Sequence, residues 1–378
     1  MNEALMTYLI WPVAKYIAAF VVVLTIVAVM TWIERRGLGL MQARLGPNRV
    51  GPQGFFQVIA DPVKLLLKED ILPARAEKVA YFLGPMLPIV PALMVWCLIP
   101  FGPPPDFAVT RVNVALLLIL ALTSTAVYGI ILGGWASNNK YSLMGGLRSA
   151  AQMISYEVPF GLSVIGVLMI SGSLDLVHIV RYQEANGWNL LTQIVAAFIF
   201  FVSMNAESNR TPFDLPEAES ELVAGYHTEY SGMKFAFFML SEYASMLVNS
   251  ALMVTLFLGG WSLGMFGFGL TTEVMAGMGI MGGVLGVLIF LGKLMFFMVV
   301  FVWFRATFPR FRFDQLMDLG WKFMIPLALA NIFVTGIFIL AGQERLMTWI
   351  GLGTIALIAF YLFRPKRVPA KQKVAHAS

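Results

Sequence analysis

The sequence predicts an all-α, polytopic membrane protein with about nine transmembrane helices and one amphipathic helix at the membrane interface. The chain has 378 residues, of which 59% are hydrophobic and 12% are charged, whereas a soluble domain carries about 25% charged residues. Its mean hydropathy is +0.78. Apolar runs of roughly 20 residues recur, which is the length that a helix needs to cross a bilayer. Strands of a membrane barrel alternate polar and apolar residues, whereas these runs are apolar on every face, so helices are predicted.

Nine apolar runs define the predicted spans of a single membrane domain, residues 1–378. The runs cover residues 11–33, 79–101, 112–135, 154–173, 190–204, 235–261, 281–304, 323–341 and 347–363. The first run is longer than the apolar core of a signal peptide, and no basic residue precedes it. We therefore expect it to be retained as a membrane span.

Lysine and arginine are distributed unequally between the connections. The first, third, fifth and seventh connections and the C-terminal tail together hold 21 of them, whereas the even-numbered connections hold 3. Basic residues in short loops of membrane proteins concentrate on the cytoplasmic side. The sequence therefore predicts an N-terminus outside, a cytoplasmic C-terminus and an odd number of spans.

Metal-binding and nucleotide-binding signatures are weak in this chain. It has one cysteine, Cys97, and three histidines, so we expect no disulfide framework and no iron–sulfur cluster or structural zinc held by this chain alone. Residues 277–282 match GxGxxG, but no strand precedes them and no acidic residue follows about 20 positions later. The same glycines also have GxxxG spacing, which predicts a close approach between helices.

The first long connection contains an amphipathic segment, residues 53–69. Gln57, Asp61, Lys64 and Lys68 share one face of the predicted helix, and apolar residues occupy the remainder. Such a helix lies in the plane of the interface with its apolar face in lipid. One interpretation is a surface anchor. The other is that the polar face lines a cavity that opens sideways to the bilayer and admits an amphiphile.

The connection after the fifth run is rich in acidic residues. Six carboxylates fall within this short stretch: Glu207, Asp214, Glu217, Glu219, Glu221 and Glu229. A helix beginning near Pro212 would place Asp214, Glu217 and Glu221 on one face. Carboxylates this close cannot all ionise readily, so we predict shared protons and a proton relay. A solvated acidic loop is the alternative interpretation.

Three more ionisable residues lie within predicted spans. Glu157 opens the fourth run, Glu242 lies in the sixth, and Lys293 lies well inside the seventh. A charge at the membrane centre costs about 2.5–3.5 kcal/mol on insertion scales, so such groups are usually paired or line a wet cavity. They could extend the acidic stretch into a path for protons, or they could pair simply to hold helices together.

Four stretches of the sequence together resemble one known family. Residues 34–52 contain ERR and QARLGPNRVGP, residues 152–159 read QMISYEVP, and residues 305–321 read RATFPRFRFDQLMDLGW; the fourth stretch is residues 207–230. In order and spacing they are similar to the H subunit of proton-pumping NADH:quinone oxidoreductase (respiratory complex I), the NADH dehydrogenase subunit 1 family. The resemblance covers about residues 11–341. Many members of the family lack the added span and basic tail, residues 347–378.

The resemblance implies roles for particular residues. The residues implied at the quinone chamber and its entrance are Glu34, Arg35, Arg36, Asp61, Arg305 and Arg310. Those implied in the proton connection from the chamber are Glu157, Glu207, Asp214, Glu217, Glu219, Glu221, Glu229, Glu242 and Lys293. The substrate would be ubiquinone or menaquinone. No catalytic redox centre, metal or flavin is expected on this chain.

The resemblance also implies an assembly in a bacterial inner membrane. The expected partners are soluble subunits that hold iron–sulfur clusters, antiporter-like and smaller membrane subunits, and the lipid bilayer, with no nucleic acid. One alternative is the homologous membrane subunit of an energy-converting hydrogenase. A stand-alone ion or solute carrier is a third interpretation, but the sequence shows no internal repeat.

Overall fold

Long helices dominate the computed structural model, which describes residues 10–104, 107–215, 219–343 and 346–354. In chain order the helices are α1 Trp11–Met41, α2 Gln57–Leu67, α3 Lys78–Met94, α4 Ala115–Ser124, α5 Ala126–Ala136, α6 Lys140–Ser171, α7 Leu176–Asn186, α8 Asn189–Thr192, α9 Ile194–Glu207, α10 Glu219–Leu222, α11 Gly232–Phe257, α12 Thr272–Gly277, α13 Ile280–Thr307, α14 Phe313–Asp318, α15 Ile325–Leu340 and α16, residues 346–354. Short 3₁₀ turns cover Pro52–Gly54, Val95–Cys97 and Gly225–His227, and a π-helical turn, Leu319–Met324, joins α14 to α15. The described residues form no β-sheet.

Among the described residues, seven helical segments are long and apolar enough to cross a membrane. They are Trp11–Met41, Lys78–Cys97, Ala115–Ala136, Lys140–Ser171, Gly232–Phe257, Ile280–Thr307 and Phe313–Leu340. The fifth predicted run appears as the shorter apolar helix α9. The ninth run begins within α16, and its remainder lies outside the described residues. The prediction of an all-α polytopic membrane protein is thus confirmed.

Several helices extend beyond their apolar runs. Helix α1 continues to Met41 and so includes Arg35 and Arg36. Helix α6 begins at Lys140, well before the run predicted to start at residue 154, because its polar first half is packed against protein. A Cβ added to Gly145 would lie 2.7 Å from the backbone of Gly225. Apolar periodicity cannot reveal this close packing.

The acidic stretch does not form the predicted helix. Residues 211–215 are turns and irregular backbone, and the next described residues form the short helix Glu219–Leu222. Asp214 and Glu221 therefore do not share a helix face, so this part of the prediction is wrong. The two carboxylates have different partners: Asp214 pairs with Arg310, in the connection between α13 and α14, and Glu221 pairs with Arg148 of α6. Glu217 and the side chain of Glu219 lie outside the described residues.

The core lies around α11, the most deeply buried of the long helices. Of its most apolar stretch 72% is buried, against 17% for α1, so α11 is enclosed by the rest of the chain while most of the surface of α1 is exposed. Phe160 of α6 and Phe200 of α9 stack at 4.5 Å between ring centroids, and Phe257 of α11 packs against Phe200. Close packing of this kind, rather than exclusion from water, holds helices together in lipid.

The glycines of the GxxxG spacing permit a close approach, as predicted. A Cβ on Gly282 would clash with the carbonyl of Met275 in α12, and one on Gly286 would lie 2.8 Å from Cδ of Pro103. Only glycine therefore lets α13 contact α12 and the connection between α3 and α4 without displacement of the backbone.

Candidate functional site

Glu34 is the centre of a buried charged cluster at one end of the bundle. It lies near the end of α1, and only 3% of its surface is exposed. One carboxylate oxygen accepts hydrogen bonds from Nη1 of Arg210, at 3.1 Å, and from Nη1 of Arg305. The other accepts from the hydroxyl of Tyr243 at 2.6 Å. The end of the bundle that holds Glu34 is called here the charged end.

Arg210 joins Glu34 to a second buried carboxylate. It follows the last residue of α9, and its Nη2 lies 3.9 Å from Oε2 of Glu242. The guanidinium carbon lies 4.2 Å from the ring centroid of Tyr243, and the hydroxyl of Tyr226 donates to Oε1 of Glu242 at 2.8 Å. Burial opposes the charge of Arg210, but the neighbouring carboxylates outweigh it and raise the pKa of Arg210 above its usual value.

These six residues form a unit with balanced charge. We call Glu34, Arg210, Tyr226, Glu242, Tyr243 and Arg305 the Arg210 cluster. With both carboxylates ionised, two negative charges face two guanidinium groups, and two tyrosine hydroxyls complete the hydrogen bonding. A buried ion pair resists separation because removal of one partner leaves an uncompensated charge. Gain or loss of one proton would therefore force the cluster to redistribute its contacts.

Asp214 and Arg310 form a second ion pair near the cluster. Nη2 of Arg310 donates to Oδ2 of Asp214 at 3.0 Å, while the buried Oδ1 of Asp214 has no hydrogen-bond partner among the described residues. Burial raises the pKa of Asp214 above its ordinary value, although Arg310 opposes the shift. His227 also faces Glu242, but burial is the larger influence and lowers the pKa of His227.

The end of α1 is tied to the interface helix α2. Nη1 of Arg35 donates to Oδ2 of Asp61 at 2.6 Å, and Gln57 donates to the other oxygen of Asp61 at 2.7 Å. Arg36 donates to the carbonyl of Gln53 at 3.0 Å. The polar face predicted for this helix therefore points towards α1, next to the helical turn that carries Glu34.

The opposite face of α2 is apolar and exposed. Its exposed side chains, with those of the turn before it, are Phe55, Phe56, Ile59, Val63, Leu66 and Leu67. The chain reaches this position through Gly54, whose φ is +75° and where a Cβ would clash with the carbonyl of Pro47. An exposed apolar face on a short helix is typical of a segment that lies in the membrane interface.

The remaining predicted acids have separate partners. Glu157 accepts from Ser124, and Glu207 accepts from Asn249 at 3.3 Å. Glu229 accepts from Asn139 at 2.6 Å, and Glu221 pairs with Arg148 at 2.6 Å. Glu157 and Glu207 are close enough to repel each other, whereas the half-exposed Glu221 lies on the surface.

Lys293 lies at the other end of α11 and contacts backbone carbonyls. Its Nζ donates to the carbonyl oxygens of Leu258, Gly260 and Ser262 at 2.6, 3.1 and 2.6 Å. Leu258 is 16 residues beyond Glu242, so Lys293 is separated from Glu242 by about 24 Å along the helix axis. The structure therefore does not bring Lys293 to the acidic residues of the charged end.

Sequence reasoning missed three members of the Arg210 cluster. Arg210 is the one basic residue among the acids of residues 207–221, and that isolation was a usable signal. Tyr243 directly follows Glu242, but nothing in the sequence distinguishes Tyr226 or Tyr243 from the other tyrosines. Their roles depend on contacts between elements far apart in the chain.

The fold and the site define a polytopic membrane protein with buried ion pairs at one end of its helices, and comparison with known sequences identifies its family. The family model for NADH dehydrogenase matches residues 14–336. The NADH-quinone oxidoreductase H subunit 2 of Koribacter versatilis is 46% identical over 353 residues, which cover 88% of this chain and 98% of the relative. The NADH-quinone oxidoreductase H subunit 1 of Geobacter sulfurreducens is 47% identical over 352 residues, with 88% and 96% covered.

A third relative agrees with these two. The H subunit of the NADH-quinone oxidoreductase of Thermomicrobium roseum is 47% identical over 349 residues, covering 87% of this chain and 97% of the relative. The chain belongs to the NADH dehydrogenase family, among the H subunits of NADH-quinone oxidoreductase. It is therefore a membrane-embedded subunit of an oxidoreductase complex.

Proposed function

We propose that this chain lines the quinone passage of a proton-pumping NADH:quinone oxidoreductase and links quinone reduction to proton translocation. The relatives named as H subunits of NADH-quinone oxidoreductase support the assignment to this complex. The single observation that carries the link is Arg210, which contacts both Glu34 and Glu242. Glu34 is one of the residues predicted at the quinone chamber, and Glu242 is one of those predicted in the proton connection.

The proposed entrance lies between α1 and the interface helix α2. A quinone has a polar head and an apolar tail, so it travels from the bilayer along a surface with both characters. Helix α2 offers an exposed apolar face and a polar face anchored to Arg35 through Asp61. Glu34, Arg36, Arg305 and Arg310 would border the passage further in, where their charges and hydrogen bonds would orient a polar head group.

The proposed coupling is electrostatic. If a charge or a proton arrives near Glu34, the electrostatic attraction between this carboxylate and Arg210 changes. The guanidinium of Arg210 then moves towards or away from Glu242. Because both carboxylates are buried, the interaction is weakly screened and a small rearrangement alters the proton affinity of Glu242. Glu157, Glu207, Asp214, Glu217, Glu219, Glu221 and Glu229 would continue the path for protons. We assign Lys293 to the support of the backbone instead, because its contacts are carbonyls.

The proposed setting is a bacterial plasma membrane, with the N-terminus outside and the C-terminus in the cytoplasm. Seven helices able to span a membrane and the bacterial relatives support this setting. Soluble iron–sulfur subunits and other membrane subunits would be the partners. The substrate would be ubiquinone or menaquinone, with flavin and metal centres held by the partner subunits.

The Arg35–Asp61 pair provides the test of the passage. In the assembled complex, Asp61→Ala or Arg35→Ala should lower NADH oxidation by quinone while oxidation by ferricyanide at the flavin survives, because only the quinone reaction depends on this chain. Lys322→Met is the matched control, since Lys322 forms an exposed pair with Asp318 at 2.8 Å. Equal loss of both activities in fully assembled Asp61→Ala complex would contradict the proposed passage.

A further inference from the structure

A single buried amide holds the loop that carries Arg210. Gln152 of α6 is completely buried. Its Nε2 donates to the carbonyl oxygens of Ala206 and Phe213, each at 2.8 Å. It also lies 3.0 Å from Oδ1 of Asn209. We call residues 206–213 the Arg210 loop. An amide has two hydrogens, so three acceptors from this one loop share them.

A second contact from α6 holds the same loop. Nδ2 of Asn209 donates to Oγ of Ser149 at 3.1 Å. Asn209 has a φ of +48°, a left-handed conformation that asparagine tolerates better than most residues. Ser149 and Gln152 are separated by three positions and so lie on one face of α6. That face fixes the backbone directly before Arg210.

The position of this loop decides what Arg210 can contact. Glu34 lies on α1 and Glu242 on α11, two long helices that the rest of the bundle holds in place. The Arg210 guanidinium is 3.1 Å from Glu34 and 3.9 Å from Glu242. The longer distance is at the limit of an ion pair, so a loop displacement of about 1 Å would separate Arg210 from one carboxylate.

We infer that Gln152 is a positioning residue for Arg210, whose placement between Glu34 and Glu242 sets the rate of quinone reduction. This inference rests on the proposed function. Gln152 carries no charge, and the proposed passage and proton path do not otherwise use it. The titratable and charged groups around Arg210 are Glu34, Asp214, Tyr226, His227, Glu242, Tyr243, Arg305 and Arg310.

Two variants separate the amide donor from the space that it fills. Gln152→Met keeps the length but removes the donor, so quinone-dependent turnover of the assembled complex should fall roughly tenfold, since three buried acceptors lose their donor. Gln152→Glu keeps the shape. Its carboxyl donates one hydrogen bond while protonated and repels the three oxygens once ionised. Turnover of Gln152→Glu relative to wild type should therefore fall as the pH rises from 6 to 8.5, whereas the ratio for Gln152→Met should stay flat.

Gln193→Glu is the matched control. Gln193 is equally buried, donates to Oγ1 of Thr335 at 2.9 Å and accepts from Asn331 at 2.8 Å, with no contact to the Arg210 loop. Its substitution should leave the pH profile unchanged. Hydrogen–deuterium exchange of residues 206–213 in the assembled complex gives a readout independent of turnover, and both Gln152 variants should accelerate exchange there.

The outcomes distinguish this inference from the proposed function. Faster hydrogen–deuterium exchange of the Arg210 loop, together with the pH-dependent loss of turnover in Gln152→Glu, supports the inference. Unchanged exchange in both Gln152 variants, or an unchanged pH profile in Gln152→Glu, overturns the inference. Loss of assembled complex in both variants also overturns it, because Gln152 would then have a structural role only. Arg210→Lys, measured alongside, tests the proposed function: if it lowers turnover while the Gln152 variants do not, only the inference fails. Wild-type turnover and pH profile in Arg210→Lys and in both Gln152 variants would contradict both.

Discussion

The two ends of α11 hold their buried charges in different ways. At the charged end, Glu242 and Glu34 both face Arg210, so a proton gained by either carboxylate changes its attraction to the cation that they share. At the opposite end, Lys293 is surrounded by three backbone carbonyls, which cannot gain or lose a proton. The comparison teaches that a buried charge is suited to coupling where a second group that can gain or lose a proton shares its partner.

Other contacts at the opposite end have the same structural character. Glu184 accepts hydrogen bonds from the backbone N and the hydroxyl of Thr272, at 2.9 and 2.7 Å, next to the start of α12. Trp261 donates to the same hydroxyl at 3.1 Å. Carboxylates near a helix N-terminus satisfy its free N–H groups. The polar side chains here fix the backbone of the connecting segments.

The largest expected effect is at the shared cation. Arg210→Met leaves two buried carboxylates without their common partner, and breaking a buried ion pair in this way costs about 3–5 kcal/mol. We expect little assembled complex and no quinone-dependent turnover in what remains, measured by native gel electrophoresis and NADH oxidation. Normal assembly of Arg210→Met with wild-type rates would contradict the role that we assign to Arg210 at the charged end.

Loss of one ionisable group at the charged end should be the next largest effect. Glu242→Gln keeps the volume and can still accept from Tyr226, but it cannot ionise, so quinone-dependent turnover should fall at least about tenfold. Asp318→Asn is the control, because the Asp318 side chain is 60% exposed in its pair with Lys322 and exposed pairs contribute little. Equal rates in the two variants would place Glu242 outside the coupling path.

Substitution of Lys293 tests the buried charge at the opposite end of α11. Lys293→Met leaves three carbonyls without a donor, which should lower the stability of the complex by about 1–3 kcal/mol. Turnover of the intact complex, and its dependence on pH, should remain within about twofold of wild type because no proton transfer involves this ammonium. Thermal inactivation combined with a pH–rate profile checks both statements. A displaced pH optimum would return Lys293 to the proton path.

Asp214 should give the smallest effect, visible as a dependence of stability on pH. Burial raises the pKa of Asp214, so the folded protein binds this proton more tightly than the unfolded protein does. The stability of wild type relative to Asp214→Asn should therefore be greatest below the ordinary aspartate pKa and should decline as the pH rises through the raised pKa. Melting temperatures of both proteins between pH 4.5 and 8 test the sign. A difference that grows with pH would show that the Arg310 pair dominates instead.

The sequence predicted the elements of the site better than their arrangement. The polar face of the interface helix was predicted from spacing alone. The structure joins two of its residues, Gln57 and Asp61, by a hydrogen bond and pairs Asp61 with Arg35. The shared helix face of Asp214 and Glu221 was predicted by the same rule and was wrong. In the first case a regular helix formed and preserved the spacing. In the second, Asp214 pairs with Arg310 of the connection between α13 and α14, whereas Glu221 pairs with Arg148 of α6.

By itself, the sequence determined that the chain is a helical membrane protein, because long apolar runs have no other stable arrangement in lipid. Its motifs also determined the family. Only the tertiary structure decided which charges meet. Glu34 and Arg210 are 176 residues apart in the chain, and Glu34 and Arg305 are 271 apart. No periodicity relates positions so distant. Their contact follows from the packing of α1, α9, α11 and α13, which also directs Lys293 away from them.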